Sequence, residues 1–332
     1  MERQTAMQTG FVSQVVGCTP LIKIKSLSEL SGCEIFGKAE YLNPGGSIKD
    51  RAALGIINQA EKDGKLLPGY SIIEGTAGNT GIGLATIAAQ KGYKCVIVMP
   101  NNQAQEKYET LNALGVELVT VPAVPFANEN HFYHTARKLA ESRPNSFWAN
   151  QFENPANYQE HYRTTGPEIW QQTAGLIDAF VSAVGTGGTM AGVSKYLKEK
   201  NQGVHVRLVD PMGSGLYEYF KHGTMKSTGS SITEGIGIMR VTENFKAAAI
   251  DEAVQIDDQK MISMLYHLAA KDGLLVGTSA ALNVCAAYHY ALENKNSGKR
   301  IITMLCDSAT RYQSKIFNLE FLKEKGLDPR PI

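Results

Sequence analysis

The chain has 332 residues, of which 43% are hydrophobic and 20% are charged, and its formal net charge is +1 at pH 7. This composition excludes a disordered or collagen-like chain, and the balanced charge excludes a global field that would attract nucleic acid or an anionic membrane. At roughly 150 residues per domain, the length predicts about two domains.

The cysteine pattern favours a reducing compartment. The five cysteines are widely spaced and form no CxxC pair, which argues against a structural zinc site and against a disulfide framework.

Met1 to Thr5 include no apolar stretch of the kind found in secretory signals. The longest uncharged run, at residues 273–292, contains Asn283 and His289 and predicts a buried helix rather than a membrane span. We expect a cytoplasmic protein without a metal, membrane or nucleic-acid partner.

The first half of the chain predicts helices and short buried strands in alternation. A Pro-Gly-Gly turn leads to Ser47, a good N-cap, and then to a helix through Ala60. Gly92 and Gly115 follow helical patterns and predict where those helices end. The predicted strands span residues 72–73, 96–100 and 116–121, and the predicted helices span residues 79–92, 105–114 and 132–142.

The same alternation continues in the second half. The predicted strands span residues 179–184, 204–209 and 301–305, and the predicted helices span residues 189–199, 261–271 and 280–292. Such alternation is typical of an α/β fold with mostly parallel sheets flanked by helices. Ligands of these folds bind at the carboxyl ends of the strands. Polar, proline-containing stretches predict that the chain crosses between domains near residues 42–46 and 151–155.

A glycine-rich loop, Gly185-Thr186-Gly187-Gly188-Thr189, follows an apolar strand and opens a helix. Its backbone N–H groups and the helix N-terminus would form a cradle for an anion. The loop nearly meets the dinucleotide pattern GxGxxG, and Asp210 lies about 20 residues further on, as a dinucleotide site requires. The alternative is a turn whose glycines only allow a helix and a strand to pack closely. The motif alone does not separate a dinucleotide from a single phosphate.

Lys49 is a candidate nucleophile because it stands in the first turn of the helix that follows Ser47. The helix dipole disfavours a positive charge there, which favours the neutral amine that a Schiff base requires. The alternative interpretation is a solvated surface lysine.

A second loop rich in glycine and threonine, at residues 74–81, also joins a strand to a helix. The hydroxyls of Thr76 and Thr80, the Asn79 amide and the N–H groups of the helix start could together hold a carboxylate. The alternative is a plain capped helix start.

The order of these motifs resembles the pyridoxal-phosphate enzymes of the tryptophan-synthase-β type (fold type II). The resemblance is closest to the cysteine synthases, or O-acetylserine sulfhydrylases, which are grouped with the cystathionine β-synthases. It covers nearly the whole chain. The motifs that carry it are residues 17–21 (GCTPL), 43–51 (NPGGSIKDR), 74–81 (EGTAGNTG), 151–157 (QFENPAN), 164–170 (TTGPEIW), 185–189 (GTGGT) and 234–237 (EGIG).

The resemblance implies pyridoxal 5'-phosphate as cofactor and assigns the residues that would hold it. Lys49 would form the Schiff base and act as the base at the substrate Cα. Asn79 would bond the 3′-oxygen of the ring, and Ser279 would meet the pyridine nitrogen. The phosphate would lie on Gly185, Thr186, Gly187, Gly188 and Thr189. A neutral serine at the ring nitrogen weakens the electron sink, which favours rapid loss of a β leaving group over a long-lived carbanion.

The resemblance also implies a substrate site and a two-domain architecture. Residues 45–155 would form a smaller, mobile domain that closes on the substrate, and residues 1–44 with 156–332 would form a larger domain that binds the cofactor phosphate. Closure would exclude water from the reaction. The residues implied for substrate binding are Thr76, Ala77 through its N–H, Gly78, Thr80, Gln151 and Gly235.

Several positions depart from the family pattern. Ala77 stands where serine or asparagine is common, and Ile238-Met239-Arg240 follows Gly237 where the family usually has a small residue and an aromatic one. Arg240 could place a positive charge near the leaving-group pocket, or it could be an exposed loop arginine. Cys306, near the expected cofactor rim, is interpreted as an ordinary buried cysteine. Residues 307–312 (DSATRY) replace a common Ser-Gly-Glu-Arg-Tyr pattern.

The resemblance implies β-replacement, in which O-acetyl-L-serine loses acetate and sulfide adds to an aminoacrylate to give L-cysteine. The alternatives are a cysteine desulfhydrase, β-replacement with O-phosphoserine or homocysteine, a non-catalytic sensor or partner protein with this fold, and a nucleotide-binding protein. We also expect a homodimer from the resemblance and consider serine acetyltransferase as a partner.

Overall fold

The structure is a computed structural model that describes residues 10–332. Met1 to Thr5, on which the expectation about a secretory signal depends, lie outside the described residues. Within residues 10–332, ten strands form two sheets. The strands are β1 (Leu21–Lys23), β2 (Glu34–Ala39), β3 (Ser71–Gly75), β4 (Lys94–Pro100), β5 (Glu117–Val121), β6 (Ser146–Trp148), β7 (Ala179–Ala183), β8 (His205–Pro211), β9 (Glu252–Ile256) and β10 (Arg300–Leu305).

The two sheets confirm the predicted α/β class. The smaller sheet has the strand order β5-β4-β3-β6, and all its neighbouring strands are parallel. The larger sheet has the order β1-β2-β10-β7-β8-β9, in which only β1 runs antiparallel to its neighbour. Every residue of β7 is buried, as expected for a parallel strand covered on both faces.

Helices cover both sheets. They are α1 (Lys25–Ser31), α2 (Lys49–Lys62), α3 (Asn79–Lys91), α4 (Gln105–Ala113), α5 (Phe132–Ser142), α6 (Ala156–Arg163), α7 (Thr165–Gln172), α8 (Gly188–Lys200), α9 (Leu216–His222), α10 (Glu243–Lys246), α11 (Asp258–His267), α12 (Thr278–Glu293), α13 (Gln313–Ile316) and α14 (Leu319–Glu324). No helix within residues 10–332 is both long and apolar enough to cross a membrane.

Most predicted helix ends agree with the structure to within one or two residues. Gly92 ends α3 with a φ of 75°, a left-handed conformation that glycine adopts without steric cost. Two predictions need correction. Ile48, not Ser47, occupies the N-cap position of α2, although the Ser47 hydroxyl oxygen accepts the Lys49 N–H at 3.2 Å. The helix predicted at 261–271 ends as α11 at His267, and a π-helical turn follows through Asp272.

The strands of the two sheets come from different stretches of the chain. The smaller sheet is built from residues 71–148, and the larger one from residues 21–39 and 179–305. The predicted domain boundaries, 45–155 against 1–44 with 156–332, stay a prediction, as does the mobility of the smaller domain.

A buried ion network fixes the start of α2. The Arg51 side chain is 1% exposed, and its guanidinium donates to Glu40 at 2.8 Å and to Glu168 at 2.7 Å. Lys38 also pairs with Glu168, at 2.6 Å. Burial alone would raise the pKa of Glu168, but bonds and charges from Arg51 and Lys38 lower that pKa to about 2. The network therefore ties α2 to the segment after β2 and to α7.

Replacing Arg51 with Met is expected to lower the free energy of unfolding by about 3–5 kcal/mol, because buried carboxylates lose their counter-charge. Denaturant titration of variant and wild type measures the difference. Arg143→Met is the matched control, since Arg143 forms an exposed pair with Glu117 and its loss should cost about 1 kcal/mol or less. Equal losses in the two variants would contradict the role given to the Arg51 network.

Candidate active site

The predicted site residues converge on a cavity of about 320 Å³. Its walls come from the start of α2, from the loops that follow β3 and β7, and from residues at the start of α12 and after β10. Gly78 and Gly188 are the predicted site residues that do not line it. Those that do are Lys49, Thr76, Ala77, Asn79, Thr80, Gln151, Gly185, Thr186, Gly187, Thr189, Gly235 and Ser279.

Lys49 is the first residue of α2 and is half-buried in the cavity wall. Its amine makes no hydrogen bond or ion pair with any group of residues 10–332. The turn before it is held from several sides. The Gly45 N–H donates to Asp50 at 2.5 Å, and the Gly45 carbonyl oxygen accepts from Arg311. The backbone of the turn is thus braced while the amine is left without a partner.

The loop from Gly185 to Thr189 joins β7 to α8 and forms a closely packed cradle. The N–H groups of Gly185, Thr186 and Gly187 donate to no group within the described part of the chain. An added Cβ at Gly185 would overlap the Gly235 carbonyl oxygen, and one at Gly187 would lie 2.5 Å from the Phe245 nitrogen. Unpaired N–H groups at a helix start fit the terminal phosphate of a cofactor.

Three polar side chains that sequence reasoning did not assign to the site support this loop. Thr242 donates its hydroxyl to the Thr186 carbonyl oxygen at 2.7 Å. Asn157 donates to the Thr186 hydroxyl oxygen at 3.0 Å, and a ring nitrogen of His161 lies 3.3 Å from the Thr189 hydroxyl. Burial lowers the pKa of His161 to about 3, so its ring is neutral at pH 7. His161 therefore supports the loop as a neutral ring, and the expectation that the histidines are structural or surface residues stays a prediction.

Asn79 begins α3, and both ends of its amide are held in place. Its nitrogen donates to Asp307 at 2.6 Å, and its oxygen accepts from Arg311 at 3.0 Å. Asp307 is fully buried and also accepts the Tyr312 hydroxyl at 2.5 Å. The Asn79 nitrogen keeps one N–H without an assigned partner. Asp307 and Arg311 follow β10 at its carboxyl end, a position that the rule for parallel sheets could have indicated.

The Gln151 amide is already engaged by neighbouring groups. Its oxygen accepts the Thr80 hydroxyl at 2.5 Å, and its nitrogen donates to the Gly75 carbonyl oxygen at 3.1 Å and to Glu74 at 3.3 Å. Glu74 is fully buried, and burial raises the pKa of its carboxyl to about 8. A substrate carboxylate can therefore accept from Thr80 only when that hydroxyl leaves the Gln151 oxygen, and from the Gln151 nitrogen only in place of Gly75 or Glu74. The Ala77 N–H donates to no group of residues 10–332.

Ser279 lies in the first turn of α12 beside Cys306, and both line the cavity. Burial raises the pKa of the Cys306 thiol to about 11, so the thiol is protonated at pH 7. Cys306 is half-buried and lies at the site, so it is not the ordinary buried cysteine that the sequence predicts.

Glu234, next to Gly235, is held by two lysines that the sequence did not indicate. Lys107 is 1% exposed and bonds the Glu234 carboxylate at 2.6 Å, and Lys315 bonds it at 2.5 Å. Lys107 belongs to α4 and Lys315 to α13, so this contact joins the start of the 234–241 segment to both of them.

Arg240 is not an exposed loop arginine. Its side chain is 19% exposed, pairs with Glu153 and lines the cavity. Asp210 does not line the cavity; its carboxylate accepts the Tyr217 N–H at 2.8 Å at the start of α9. The role considered for Asp210 in a dinucleotide site therefore finds no support.

The chain is similar in sequence and in fold to several known proteins. The family model for pyridoxal-phosphate dependent enzymes matches residues 12–307. Cysteine synthase 1 of Neurospora crassa is 51% identical over 317 residues, which cover 94% of this chain and 84% of that protein. A hydrogen sulfide-producing enzyme from Fusobacterium nucleatum has a similar solved structure, with a TM-score of 0.85, 33% identity and coverage of 92% and 100% of the two chains. The solved structure of an O-acetylserine dependent cystathionine beta-synthase from Helicobacter pylori is also similar, with a TM-score of 0.84 and 35% identity. The match covers 93% of this chain and 99% of that one.

Replacing Glu74 with Gln is expected to remove a pH dependence from the stability of the protein. The Glu74 carboxyl has a pKa of about 8 in the folded chain and an ordinary value of 4.5. The contribution of this carboxyl to the free energy of unfolding is therefore fully present below about pH 4.5 and is lost as the pH rises through about 8. We expect the free energy of unfolding of the variant, relative to wild type, to rise between about pH 5 and 9.

Denaturant titrations across that pH range measure the difference. Glu117→Gln is the control, because hydrogen bonding to Arg143 lowers the pKa of that exposed carboxyl and leaves nothing to titrate above pH 5. Parallel pH profiles for Glu74→Gln and wild type would refute the assignment.

Proposed function

Because the chain belongs to the family of pyridoxal-phosphate dependent enzymes, we propose that it is a cysteine synthase. It is an enzyme, and its cofactor is pyridoxal 5'-phosphate. The proposed reaction converts O-acetyl-L-serine and sulfide into L-cysteine and acetate. The observation that carries the proposal is the unpartnered Lys49 amine in one cavity with a phosphate cradle and a carboxylate-binding loop. The similarity to the cysteine synthase of Neurospora crassa supports it.

The cofactor would be held by residues that fit its separate parts. The free N–H groups of Gly185 to Gly187, with Gly188 and Thr189 at the start of α8, would bind its phosphate. The remaining N–H of Asn79 would donate to the 3′-oxygen of its ring. The Ser279 hydroxyl would meet the ring nitrogen. When bound, the cofactor supplies an electron sink next to the substrate Cα.

Lys49 would attach the cofactor and carry the proton at Cα. Its amine has no competing partner within the described chain, and the braced turn before it keeps that amine at the cavity. After substrate displaces it, the free amine would take the Cα proton and return it to the product.

The loop from Thr76 to Thr80 would hold the substrate carboxylate. The proposed donors are the Ala77 N–H, the Thr76 and Thr80 hydroxyls and the Gln151 amide. Gly78 shapes the turn before α3. Ala77 supplies no side-chain donor, so backbone contacts carry more of the binding. Gly235 would border the leaving-group side of the site. A closing movement of residues 45–155 would exclude water from this site.

Some properties are proposed from the family alone. We propose a cytoplasmic homodimer that takes a small amino-acid substrate and sulfide and that binds a serine acetyltransferase. Exposed apolar side chains, including Phe11 at 63% and Leu275 at 58%, are available for association with a second copy.

The first test is a coupled assay of the holoenzyme with O-acetyl-L-serine and sulfide. We expect cysteine and acetate in equal amounts from wild type, and none from Lys49→Ala, which lacks the amine. The visible absorbance of the bound cofactor should shift when O-acetyl-L-serine is added without sulfide. Protein that binds the cofactor but leaves O-acetyl-L-serine intact would overturn the proposed donor.

The same assay separates the alternatives. Turnover with O-phosphoserine in place of O-acetyl-L-serine would identify a different donor substrate. Release of sulfide from cysteine that is faster than cysteine synthesis would identify a desulfhydrase; the similar Fusobacterium nucleatum protein is a hydrogen sulfide-producing enzyme. Preference for homocysteine over sulfide would identify a cystathionine synthase, the class of the similar Helicobacter pylori enzyme.

Gly185→Ala is expected to weaken cofactor binding by about tenfold or more, because the new Cβ would push the loop away from the Gly235 carbonyl oxygen. Titration of the apoprotein with pyridoxal 5'-phosphate, followed by absorbance, measures the affinity. Gly203→Ala is the control, since that Cβ would meet only the exposed Asn201 side chain, at 3.1 Å. Unchanged affinity in Gly185→Ala would contradict the placement of the phosphate.

A further inference from the structure

Arg240 lies among three aromatic rings at one end of the active-site cavity. The centre of its guanidinium is 4.4 Å from the ring centre of Phe126, 4.6 Å from that of Tyr133 and 4.9 Å from that of Phe152. Tyr133 packs edge to face on Phe152, at 5.8 Å between ring centres. The three rings form a compartment that we call the aromatic compartment, and the Arg240 side chain fills it.

Two sets of contacts hold Arg240 in this compartment, one through Glu153 and one through Thr242. One guanidinium nitrogen pairs with Glu153, whose other oxygen accepts the Glu243 N–H at 2.9 Å. Two residues after Arg240, the Thr242 hydroxyl bonds the Thr186 carbonyl oxygen at 2.7 Å. The position of Arg240 is therefore tied to the loop proposed to hold the cofactor phosphate.

The guanidinium is not available as a free cation. Its second terminal nitrogen is buried and has no hydrogen-bond partner in the described chain. The faces of the rings take the place of that partner, because an arginine over an aromatic face is stabilised by the ring quadrupole. Arg240 therefore occupies space more than it presents a charge to a ligand.

The aromatic compartment is continuous with the site of the chemistry. Phe126, Tyr133, Phe152 and Arg240 line the same cavity as Lys49. Met239 also lines it and is 44% exposed, which places solvent next to this end of the cavity. A second substrate that enters at this end of the cavity would pass Arg240.

We propose that Arg240 determines the size of the nucleophile: by filling the aromatic compartment it admits sulfide and excludes thiols that carry a ring or another bulky apolar group. The inference rests on the proposed β-replacement. In that reaction the Cβ–O bond breaks, acetate leaves with the bonding electrons, the thiol sulfur forms the Cβ–S bond and the thiol proton is released. Shortening Arg240 should open the compartment to a benzyl group, which would pack against the three rings.

The test compares benzyl mercaptan with sulfide as the nucleophile for O-acetyl-L-serine, using the holoenzyme. The measured quantity is the ratio of the two kcat/KM values. We expect this ratio to rise at least about tenfold in Arg240→Ala, because pocket shape and ring contacts set such discrimination. Arg240→Met, which removes the charge and keeps most of the length, should keep a ratio within about threefold of wild type.

The pair of variants separates occlusion from charge. A similar rise in both Met and Ala variants would assign the effect to the charge and overturn the proposal, as would an unchanged ratio in Arg240→Ala. Arg143→Ala is the control for the loss of an arginine, because its pair with Glu117 lies at the surface away from the cavity lining. If Arg240→Ala does not fold, Arg240→Val provides a shorter, uncharged side chain, and its ratio should lie above that of Arg240→Met.

A binding measurement keeps this inference separate from the proposed function. S-benzylcysteine, the product of the benzyl reaction, should bind the cofactor-loaded Arg240→Ala protein at least about tenfold more tightly than wild type, as followed by cofactor absorbance. This needs no turnover. Wild type that makes no cysteine would refute the synthase activity, whereas equal affinity of both proteins for S-benzylcysteine would refute the role of Arg240.

Discussion

The position of the Lys49 amine depends on one buried guanidinium. Arg51 lies two residues after Lys49 in the first turn of α2, and it is surrounded by the carboxylates of Glu40 and Glu168. A buried charge is tolerated only when its partners are well placed, so this network allows one orientation of the helix start. The amine, which has no partner among residues 10–332, takes its place from that orientation. The rest of the site is arranged around this fixed point.

Around Lys49 the groups that we propose to bind charge are mainly neutral. The proposed phosphate cradle is made of backbone N–H groups, and the loop after β3 adds hydroxyls and an amide. Burial keeps two nearby titratable groups uncharged at pH 7, since it raises the pKa of Glu74 to about 8 and lowers that of His161 to about 3. Fixed dipoles in a site of low dielectric act strongly on ligand charges and need little reorganisation.

Two arginines connect parts of the site that are distant in sequence. Arg311 bonds both the Asn79 amide and the Gly45 carbonyl oxygen. It therefore links Asn79, which is proposed to bond the cofactor ring, to the turn before Lys49. Arg240 connects the segment after Gly235 to Phe126 and Glu153. The contacts of Arg311 support the proposed cofactor site, and Arg240 is proposed to limit which nucleophiles reach that site. Binding and selectivity would thus be carried by separate side chains.

The sequence by itself determined the α/β class, the ends of most helices and the loops that carry the chemistry. These depend on short-range physics: apolar periodicity, glycine at left-handed positions such as Gly92, and the meeting of loops at the carboxyl ends of parallel strands. Only the tertiary structure decided which side chains support those loops. Asn79 and Asp307 are 228 residues apart, and Arg240 could be read as a surface residue until Phe126 and Phe152 were packed around it. Such contacts leave no local pattern, because their energy appears only when distant segments are buried together.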